Sequence, residues 1–148
     1  MLLFRPEHIS LILNGTKTQT RRLWDKPRAK VGSIQKCYSG GMPFSKCKPC
    51  KGLGYWEEPD KTECPECNGT GFLQPFASIL VKRVWRQYLC DITWEEARVE
   101  GYQTLIEYYE AFYRINTKKL PKTWWCKIYP YVVEFELVKE AVNEIEGH

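Results

Sequence analysis

One basic stretch near the start of the chain, residues 14–22, carries side chains that could take part in chemistry. Its sequence is Asn14-Gly15-Thr16-Lys17-Thr18-Gln19-Thr20-Arg21-Arg22. The stretch places small hydroxyl groups beside three cations, and cations of this kind bind phosphates and other anions. We interpret it as the lining of a cleft that holds an anion or a polar nucleobase. Composition leaves the alternative, a solvated basic loop, equally open.

Four of the seven cysteines form two Cys-x-x-Cys pairs, Cys47 with Cys50 and Cys64 with Cys67. Four thiolates at this spacing fit tetrahedral zinc, and each pair is followed by a Gly-x-Gly pattern that permits a tight turn around a metal. We therefore predict one structural zinc ion, with a redox pair or unbound thiols as the alternatives. The two halves resemble the Cys-x-x-Cys-x-Gly-x-Gly repeats in the zinc region of Hsp40-type chaperones. The remaining cysteines, expected to be small buried hydrophobic residues and not ligands, are Cys37, Cys90 and Cys126.

The composition limits the class of protein. The chain has 148 residues, of which 43% are hydrophobic and 14% aromatic, so we expect a single globular domain over residues 1–148. Its net charge of +4 permits nucleic-acid binding without requiring it. No apolar run approaches the ~20 residues of a membrane span, and the first residues do not form a signal peptide. We expect a cytoplasmic protein with no membrane partner, in which the cysteines are reduced or metal-bound.

An apolar helix precedes the basic stretch and is expected to end at Asn14-Gly15, because glycine adopts the left-handed conformation that stops a helix without steric cost. If the following residues are extended, alternate side chains face opposite sides of the strand. The two groups would be Lys17, Gln19 and Arg21 on one side and Thr18, Thr20 and Arg22 on the other.

The rest of the chain alternates strands and helices around an insert. Thr93 and Thr104 each open a helix with the Thr-x-x-Glu pattern of a capping box. Residues 39–77 are rich in Gly, Pro, Cys and Lys and show no periodicity, so we interpret them as an inserted zinc-binding subdomain that needs its metal to fold. The predicted strands cover residues 1–4, 34–37, 78–85 and 131–138. This order predicts an α+β fold with a small mixed sheet or barrel and flanking helices, without showing which strands pair.

The basic stretch, taken with its neighbours, resembles the signature of the ASCH domain, a relative of the PUA RNA-binding domain. That signature is a Gly-x-Lys-x-x-x-Arg block after the first helix, and Gly15, Lys17 and Arg21 have its spacing. The longer form Gly-x-Lys-Thr-x-Thr-x-Arg also fits, on Gly15, Lys17, Thr18, Thr20 and Arg22. The resemblance implies a cleft lined by this block, with these nucleic-acid or ligand-binding residues: Gly15, Lys17, Thr18, Arg21 and Arg22.

Two later segments carry the same resemblance. A short acidic helix ends in Glu100-Gly101 before another helix, and the last strand contains Val132-Val133-Glu134-Phe135. The resemblance covers residues 1–38 and 78–138, and the insert lies outside it. One departure is Gly32-Ser33, where many family members have Gly-Asp. The implied fold is a PUA-like small β-barrel flanked by helices, to which this chain adds a zinc-ribbon-like insert.

The resemblance implies RNA binding, because members of the family are thought to bind RNA. The cations would then contact phosphates, and exposed aromatic rings would stack on unpaired bases. The candidate rings are Trp85, Trp124 and Trp125. We favour RNA or nucleotide binding because a zinc insert beside the cleft suggests a ligand larger than a free nucleoside.

The alternative is an amidohydrolase. Some small family members remove the acetyl group of N4-acetylcytidine, and the residues implied for that reaction are Lys17, Thr20 and Glu100. A threonine hydroxyl needs an adjacent base, a lysine of lowered pKa can supply it, and a carboxylate can protonate the leaving amine. Arg22 could stabilise the developing oxyanion or hold a phosphate. A regular strand would put Lys17 and Thr20 on opposite faces, so this interpretation requires the segment to bend.

The insert allows a third interpretation, in which it is an interaction module for a protein partner. Its basic residues would extend an RNA-binding surface, whereas its acidic residues oppose RNA and favour a protein. The basic residues are Lys46, Lys48, Lys51 and Lys61. The acidic residues are Glu57, Glu58, Asp60, Glu63 and Glu66.

Overall fold

The computed structural model describes residues 1–57, 61–120 and 125–138 of the chain. The strands along these residues are β1 (Leu2–Leu3), β2 (Gln19–Arg22), β3 (Ile34–Tyr38), β4 (Ala77–Arg86) and β5 (Tyr131–Leu137). The α-helices are α1 (Ile9–Leu13), α2 (Trp94–Val99) and α3 (Leu105–Ile115), and the 3-10 turns are Pro6–His8, Leu89–Asp91 and Trp125–Lys127. The predicted elements are therefore present. The helix predicted to open at Thr93 begins at Trp94, after the 3-10 turn at Leu89–Asp91.

The five strands form one sheet in the order β1-β3-β4-β5-β2. β1 pairs with β3 in parallel, and the other neighbouring strands are antiparallel. The two edge strands approach each other through Arg22 of β2, whose NH2 group donates to the Leu3 carbonyl oxygen of β1 at 2.7 Å. Its guanidinium also lies 4.8 Å from the centre of the Phe4 ring. The sheet is thus curled into a half-barrel flanked by helices, which confirms the predicted α+β architecture.

The predicted capping box is complete at α2 and only half formed at α3. Thr93 and Glu96 form a complete capping box at the start of α2. Thr104 accepts the Glu107 backbone N–H at 3.1 Å, but the Glu107 carboxylate accepts the N–H of Gln103 and not that of Thr104. Of the helices that the structure describes, none has the length and apolar character required to cross a membrane.

Two apolar clusters hold the sheet and the helices together. The first lies inside the curled sheet and consists of Leu2, Phe4, Ile12, Cys37, Ile79 and Phe135. The second joins α2 and α3 to the 3-10 turns and consists of Leu89, Ile92, Ala97, Tyr108, Phe112 and Ile128. The second cluster therefore packs α2 and α3 against each other.

The three cysteines outside the Cys-x-x-Cys pairs differ in burial. Cys37 is fully buried in the first cluster, as predicted. Cys90 is half-buried and Cys126 is exposed, so the prediction that both are buried is wrong. They belong to short 3-10 turns at the surface. The apolar side chains buried near them are Leu89 of the first turn and Ile128, which follows the second.

The insert leaves the sheet between two strands that pair directly. Cys37 of β3 lies opposite Ala77 of β4, so the segment between them starts and ends at one point of the sheet. Its described residues contain two isolated β-bridges, Lys46 with Phe72 and Tyr55 with Glu63, and no longer strand or helix. The cluster of four cysteines is therefore the main organised feature of the insert.

Candidate functional site

Lys17 and Thr18 form a short connection that is hydrogen-bonded on three sides. The Lys17 backbone N–H donates to the Leu11 carbonyl of α1 at 2.9 Å. The Thr18 N–H donates to the Val99 carbonyl of α2 at 2.7 Å, and the Thr18 carbonyl accepts the N–H of Phe135 in β5 at 2.9 Å. The position of Lys17 is thus fixed by both flanking helices and by the sheet.

Because β2 begins only at Gln19, Lys17 lies before the strand and does not follow its alternation. Lys17 and Thr20 line one cavity, although a regular strand would have put them on opposite faces. Within β2 the predicted alternation holds. Arg21 donates to the Gln19 side chain at 3.3 Å, and Arg22 donates to the Thr20 hydroxyl at 3.1 Å.

Lys17 is a buried cation that faces Glu100, the residue that ends α2. Its Nζ donates to the Glu100 backbone carbonyl at 3.0 Å and lies 3.5 Å from Oε1 of the Glu100 carboxylate. The two side chains are only 2% and 5% exposed. Burial lowers the pKa of Lys17 to about 8 despite the opposing attraction of Glu100, and the positive charge of Arg22 adds to the decrease. Lys17 can therefore lose its proton near neutral pH, which an exposed lysine does not.

Arg21 orients the carboxylate that Lys17 faces. Its NH1 group lies 2.6 Å from Oε2 of Glu100, and its NH2 group contacts Glu96 at 2.6 Å and Gln87 at 2.7 Å. Glu96 and Glu100 are four residues apart, so both carboxylates leave the same side of α2. Burial disfavours the Arg21 charge, but the attraction of Glu100 outweighs it and raises the pKa of Arg21 above its ordinary value. Both terminal nitrogens of Arg21 are occupied, which suits a positioning role.

Arg22 connects the Thr20 hydroxyl to the edge of the sheet. Its Nε donates to Thr20 Oγ1, while its NH2 group donates to the backbone of β1. Burial lowers the pKa of Arg22 to about 10, so the guanidinium stays charged at neutral pH. The Thr20 oxygen accepts this bond, which leaves the hydroxyl hydrogen for another partner.

A cavity of about 560 Å³ lies between β2, the end of α2 and α3. Among the described residues that line it, seven are cationic and one, Glu100, is a carboxylate. The cations that are buried or half-buried are Lys17, Arg21 and Arg22, and the exposed ones are Arg5, Arg114, Lys118 and Lys119. The chain therefore concentrates positive charge at this cavity, which favours an anionic ligand.

The structure brings the predicted Lys17, Thr20 and Glu100 together in the cavity lining, with Arg21 and Arg22. Gly15 and Thr18 are not among the lining residues. Gly15 has a φ of +82° and ends α1 in an exposed turn, so its glycine identity serves the backbone. Thr18 contributes its backbone bonds to α2 and β5. The assignment of both residues as ligand contacts stays a prediction.

Two of the tryptophans predicted to stack on bases, Trp85 and Trp125, do not line the cavity. Trp85 lies under the Arg83 guanidinium at 4.3 Å, and Trp125 packs edge-on against Tyr109 with ring centres 5.4 Å apart. Trp124 lies outside the described residues. Among the tryptophans that the structure describes, Trp24 lines the cavity.

A neutral hydrogen-bonded pair in the cavity was not predicted from the sequence. His8 Nε2 and the Tyr102 hydroxyl are 3.0 Å apart. Burial and then the charge of Lys17 lower the pKa of His8 to about 4, and burial raises the pKa of Tyr102 to about 12. Both groups are uncharged at neutral pH. A lone histidine near a helix start carries no sequence signal for such a pair.

Tyr108 contributes a second unpredicted polar group to the cavity. This residue lies on the buried side of α3 with Ala111 and Phe112. Its hydroxyl, however, lies beside the Glu100 carboxylate without forming a hydrogen bond of normal geometry to any described residue. Burial and then the charge of Glu100 raise the pKa of Tyr108 well above its usual value, so the phenol remains a hydrogen-bond donor. The Nε of Arg21 is likewise buried without a described partner.

The four cysteines of the two pairs form a second site, inside the insert. All four are buried, and their sulfur atoms lie within 4.8 Å of one another. The Cys47–Cys64 and Cys50–Cys67 sulfur pairs are 3.9 and 3.8 Å apart. A tetrahedral metal with metal–sulfur bonds of ~2.3 Å requires sulfur separations of roughly 3.8 Å. The residues therefore fit a metal centre with four protein ligands.

The two halves of this cluster repeat the same backbone geometry. In each half the second glycine donates its N–H to the second cysteine sulfur, at 3.2 Å in both cases. The same glycine's carbonyl accepts the N–H of the first cysteine of the other half, at 2.9 and 3.0 Å. The bonds join Gly54 to Cys50 and Cys64, and Gly71 to Cys67 and Cys47. Each half is therefore held by a backbone bond to the second glycine of the other half.

No known protein family matches the chain, and no curated protein matches it. Several solved structures share its fold. Protein EF3133 from Enterococcus faecalis V583, assigned to the family DUF984, has a TM-score of 0.57 and 18% identity over 95% of this chain and 72% of its own. The ASCH domain from Lactobacillus crispatus JV V101 has a TM-score of 0.55 and 16% identity over 87% of this chain and 69% of its own. Hypothetical protein PH0355 has a TM-score of 0.53 and 16% identity over 93% of this chain and 96% of its own. At these identities the likeness concerns the fold, and it confirms that this chain has the ASCH/PUA-like α+β fold.

Proposed function

We propose that the chain binds a nucleoside or nucleotide of RNA in the cavity between β2, α2 and α3. The observation that carries this proposal is the excess of seven cations over one carboxylate in the lining of a 560 Å³ cavity. Four of the seven form no ion pair with a described residue, namely Arg5, Arg22, Lys118 and Lys119. That volume is within the range of small-molecule sites, ~300–1,000 Å³. The PUA-like fold adds support, since the domain it resembles binds RNA.

The lining divides into an outer part suited to phosphate and an inner part suited to a base. The exposed cations Arg114, Lys118 and Lys119 follow one another around the end of α3. The inner part offers the acceptor Glu100, the unpartnered hydroxyl of Tyr108 and the half-buried ring of Trp24. A base needs a stacking surface with donors and acceptors, and a phosphate needs exposed cations.

The test is calorimetric titration with each of the four ribonucleoside monophosphates and with the corresponding nucleosides. We expect Lys118→Ala combined with Lys119→Ala to weaken monophosphate binding about tenfold and to leave nucleoside binding nearly unchanged. Lys82→Ala is the matched control, because Lys82 is an exposed lysine of β4 outside the cavity. Equal monophosphate affinities for the double variant and this control would contradict the proposal.

A second candidate function is hydrolysis of the acetyl amide of N4-acetylcytidine or a related modified nucleoside. The observation that favours it is the buried Lys17 amine, with its pKa near 8, in the same cavity lining as the Thr20 hydroxyl. At pH 7 about a tenth of such an amine is unprotonated and able to act as a base. At the same pH, the unprotonated fraction of an exposed lysine would be far smaller.

The hydrolysis begins with attack of Thr20 Oγ on the acetyl carbonyl while the Lys17 amine takes the hydroxyl proton. Arg22 Nε, hydrogen-bonded to that oxygen, holds it in place. The C–N bond then breaks, and the proton on Lys17 passes through Glu100, 3.5 Å from Nζ, to the departing exocyclic nitrogen. Water finally hydrolyses the acetyl-threonine ester, releases acetate and restores the hydroxyl.

Incubation with N4-acetylcytidine and chromatography of released cytidine tests this second function. We expect turnover by the natural chain and a loss of at least about a hundredfold in Lys17→Met, which keeps a long buried side chain but removes the base. Lys82→Met is the matched control and should keep full activity. Failure of the natural chain to release cytidine would sink hydrolysis of this nucleoside without affecting the binding proposal.

We also propose that the four-cysteine centre holds one zinc ion with a structural role. Four thiolates in a tetrahedral arrangement favour zinc over the oxygen-seeking cations. All four coordination positions are filled by protein, so water has no open position at which it could be activated. Elemental analysis of the purified chain should give one zinc per molecule, and Cys64→Ser should reduce that content.

A further inference from the structure

We propose that the nucleotide in the cavity belongs to a single-stranded RNA, and that the neighbouring nucleotides lie on an aromatic strip beside the cavity. The strip consists of Trp24, Arg86, Tyr88, Tyr129 and Tyr131. This inference rests on the proposed binding function and extends the ligand from a free nucleotide to an RNA strand.

Strand register places the strip directly beside the cavity. Arg22, which lines the cavity, lies opposite Tyr131 on β5, and Tyr131 lies opposite Arg86 on β4. Side chains at directly opposed positions share one face of a sheet, so this row runs outward from the cavity wall over ~10 Å. Trp24 also lines the cavity, and its ring centre is 6.2 Å from that of Tyr131. The strip and the cavity therefore share a continuous surface.

Arg86 fixes the rings of the strip. Its guanidinium lies 4.3 Å from the Tyr129 ring centre and 4.6 Å from that of Tyr131. Its Nε and NH2 groups both donate to the Tyr129 carbonyl, at 3.1 and 2.7 Å. Tyr88 stacks on Tyr129 with ring centres 4.4 Å apart and is itself 46% exposed. A preordered aromatic surface binds bases with little further loss of side-chain entropy.

The strip differs from the rest of β4 in how its positive charge is paired. Lys82 and Arg83 are each paired with a glutamate of β5, at 3.5 and 3.2 Å. Within residues 1–57, 61–120 and 125–138, Arg86 forms no ion pair and its charge is not neutralised. Stacked rings with an unneutralised cation are the combination that binds single-stranded RNA without sequence preference. Continuity with a cation-lined cavity favours this ligand over a protein.

The experiment compares the affinities of several variants for a short single-stranded oligoribonucleotide and for the mononucleotides. We expect Tyr88→Ala and Tyr129→Ala to weaken oligonucleotide binding about tenfold while mononucleotide binding stays unchanged. Tyr88→Phe keeps the ring and should bind the oligonucleotide like the natural chain. Trp94→Ala is the matched control, because the exposed Trp94 ring lies 4.7 Å below the Arg98 guanidinium outside both the strip and the cavity lining.

The outcomes separate this inference from the function on which it rests. Unchanged oligonucleotide affinity in both alanine variants overturns the inference, leaves the cavity proposal standing and assigns the strip to another partner, such as a protein. A second outcome is that the oligonucleotide binds and needs the strip, but no mononucleotide binds. This result overturns the cavity proposal, and with it the continuous surface from the cavity to the strip. Absence of both kinds of binding in the natural chain also overturns both.

Discussion

Tyr108 provides a test of the cavity at the level of one oxygen atom. Its buried hydroxyl lacks a described partner, and such a group destabilises the folded state until a ligand or water pairs with it. We expect Tyr108→Phe to leave the free energy of unfolding unchanged or to raise it by up to about 1 kcal/mol. The same change should weaken nucleotide binding about fivefold to tenfold, because the donor is lost. Calorimetric titration and thermal unfolding measure the two effects.

Tyr109 is the control for this substitution. It lies next to Tyr108 in α3, and its hydroxyl donates to the Leu89 carbonyl at 3.1 Å. Tyr109→Phe should lower the free energy of unfolding by about 1 kcal/mol and leave nucleotide affinity unchanged. Reversed behaviour of the two variants would show that the Tyr108 hydroxyl has no role toward a ligand.

Lys17 determines the pH dependence of the proposed hydrolysis. Burial lowers its pKa to about 8, and only the unprotonated amine can take the Thr20 proton. The value of kcat/KM should therefore rise with pH up to about 8 and level off above it. A pH series of cytidine release measures this profile. An activity that falls as the pH rises through this range would exclude Lys17 as the base, as would full activity of Lys17→Arg, which stays protonated throughout.

At the scale of elements, the four-cysteine insert contains two glycine-containing turns that interlock. Gly54 has a φ of +83°, and a Cβ atom there would lie 2.6 Å from the Gly69 carbonyl oxygen of the other half. Gly40 has a φ of +86° with no atom within 4 Å of such a Cβ. Both alanine substitutions carry the left-handed backbone penalty of roughly 1 kcal/mol, but only that at Gly54 pushes the two halves apart. We expect the zinc dissociation constant of Gly54→Ala to be at least about tenfold higher than that of Gly40→Ala.

Competition with a chelator, followed by elemental analysis, measures this difference in zinc retention. The two substitutions have matched backbone costs, so the comparison isolates the contact between the two halves of the cluster. Similar zinc retention in both variants would show that the halves do not need to interlock, and that each Gly-x-Gly pattern serves only its own turn.

At the scale of the whole molecule, the sequence predicts features that local signals determine. The Thr93 capping box, the glycine stop after α1 and the alternation within β2 all depend on neighbours in the chain. The resemblance assigned Lys17, Thr20 and Glu100 to one cleft, and all three line the same cavity. That agreement concerns their positions, while their roles stay predictions.

The features that the sequence does not predict depend on contacts between distant segments. The strand order β1-β3-β4-β5-β2 depends on how the whole chain packs. The alternation of apolar and polar residues within one strand does not determine which strands become its neighbours. The His8–Tyr102 pair joins residues 94 positions apart. The regular alternation assumed for residues 17–22 also fails at Lys17, because bonds to both helices delay the start of β2.

The insert presents a surface that the cavity does not use. Its described residues do not line the cavity, and several of its apolar side chains are exposed, with Phe44 at 84%. Phe44 packs edge-on against Phe72 with ring centres 6.4 Å apart. The other exposed apolar residues are Met42, Leu53 and Trp56. An exposed apolar patch of this kind is typical of a surface that meets a protein partner. The interpretation of the insert as an interaction module therefore stays a prediction.

Removal of the insert tests whether the molecule has two separable parts. Because Cys37 and Ala77 pair directly, residues 39–75 can be replaced by Asn-Gly, which forms the type I′ turn of a tight hairpin. We expect this variant to fold, to bind no zinc, and to keep its nucleotide dissociation constant within about twofold of the natural chain, since distant sites usually act independently. Circular dichroism, elemental analysis and calorimetric titration measure these properties. A variant that folds but no longer binds nucleotide would make the insert part of the binding site. Retained nucleotide binding would instead show that the sheet, α2 and α3 form the complete binding site. Any partner of the insert would then bind outside the cavity.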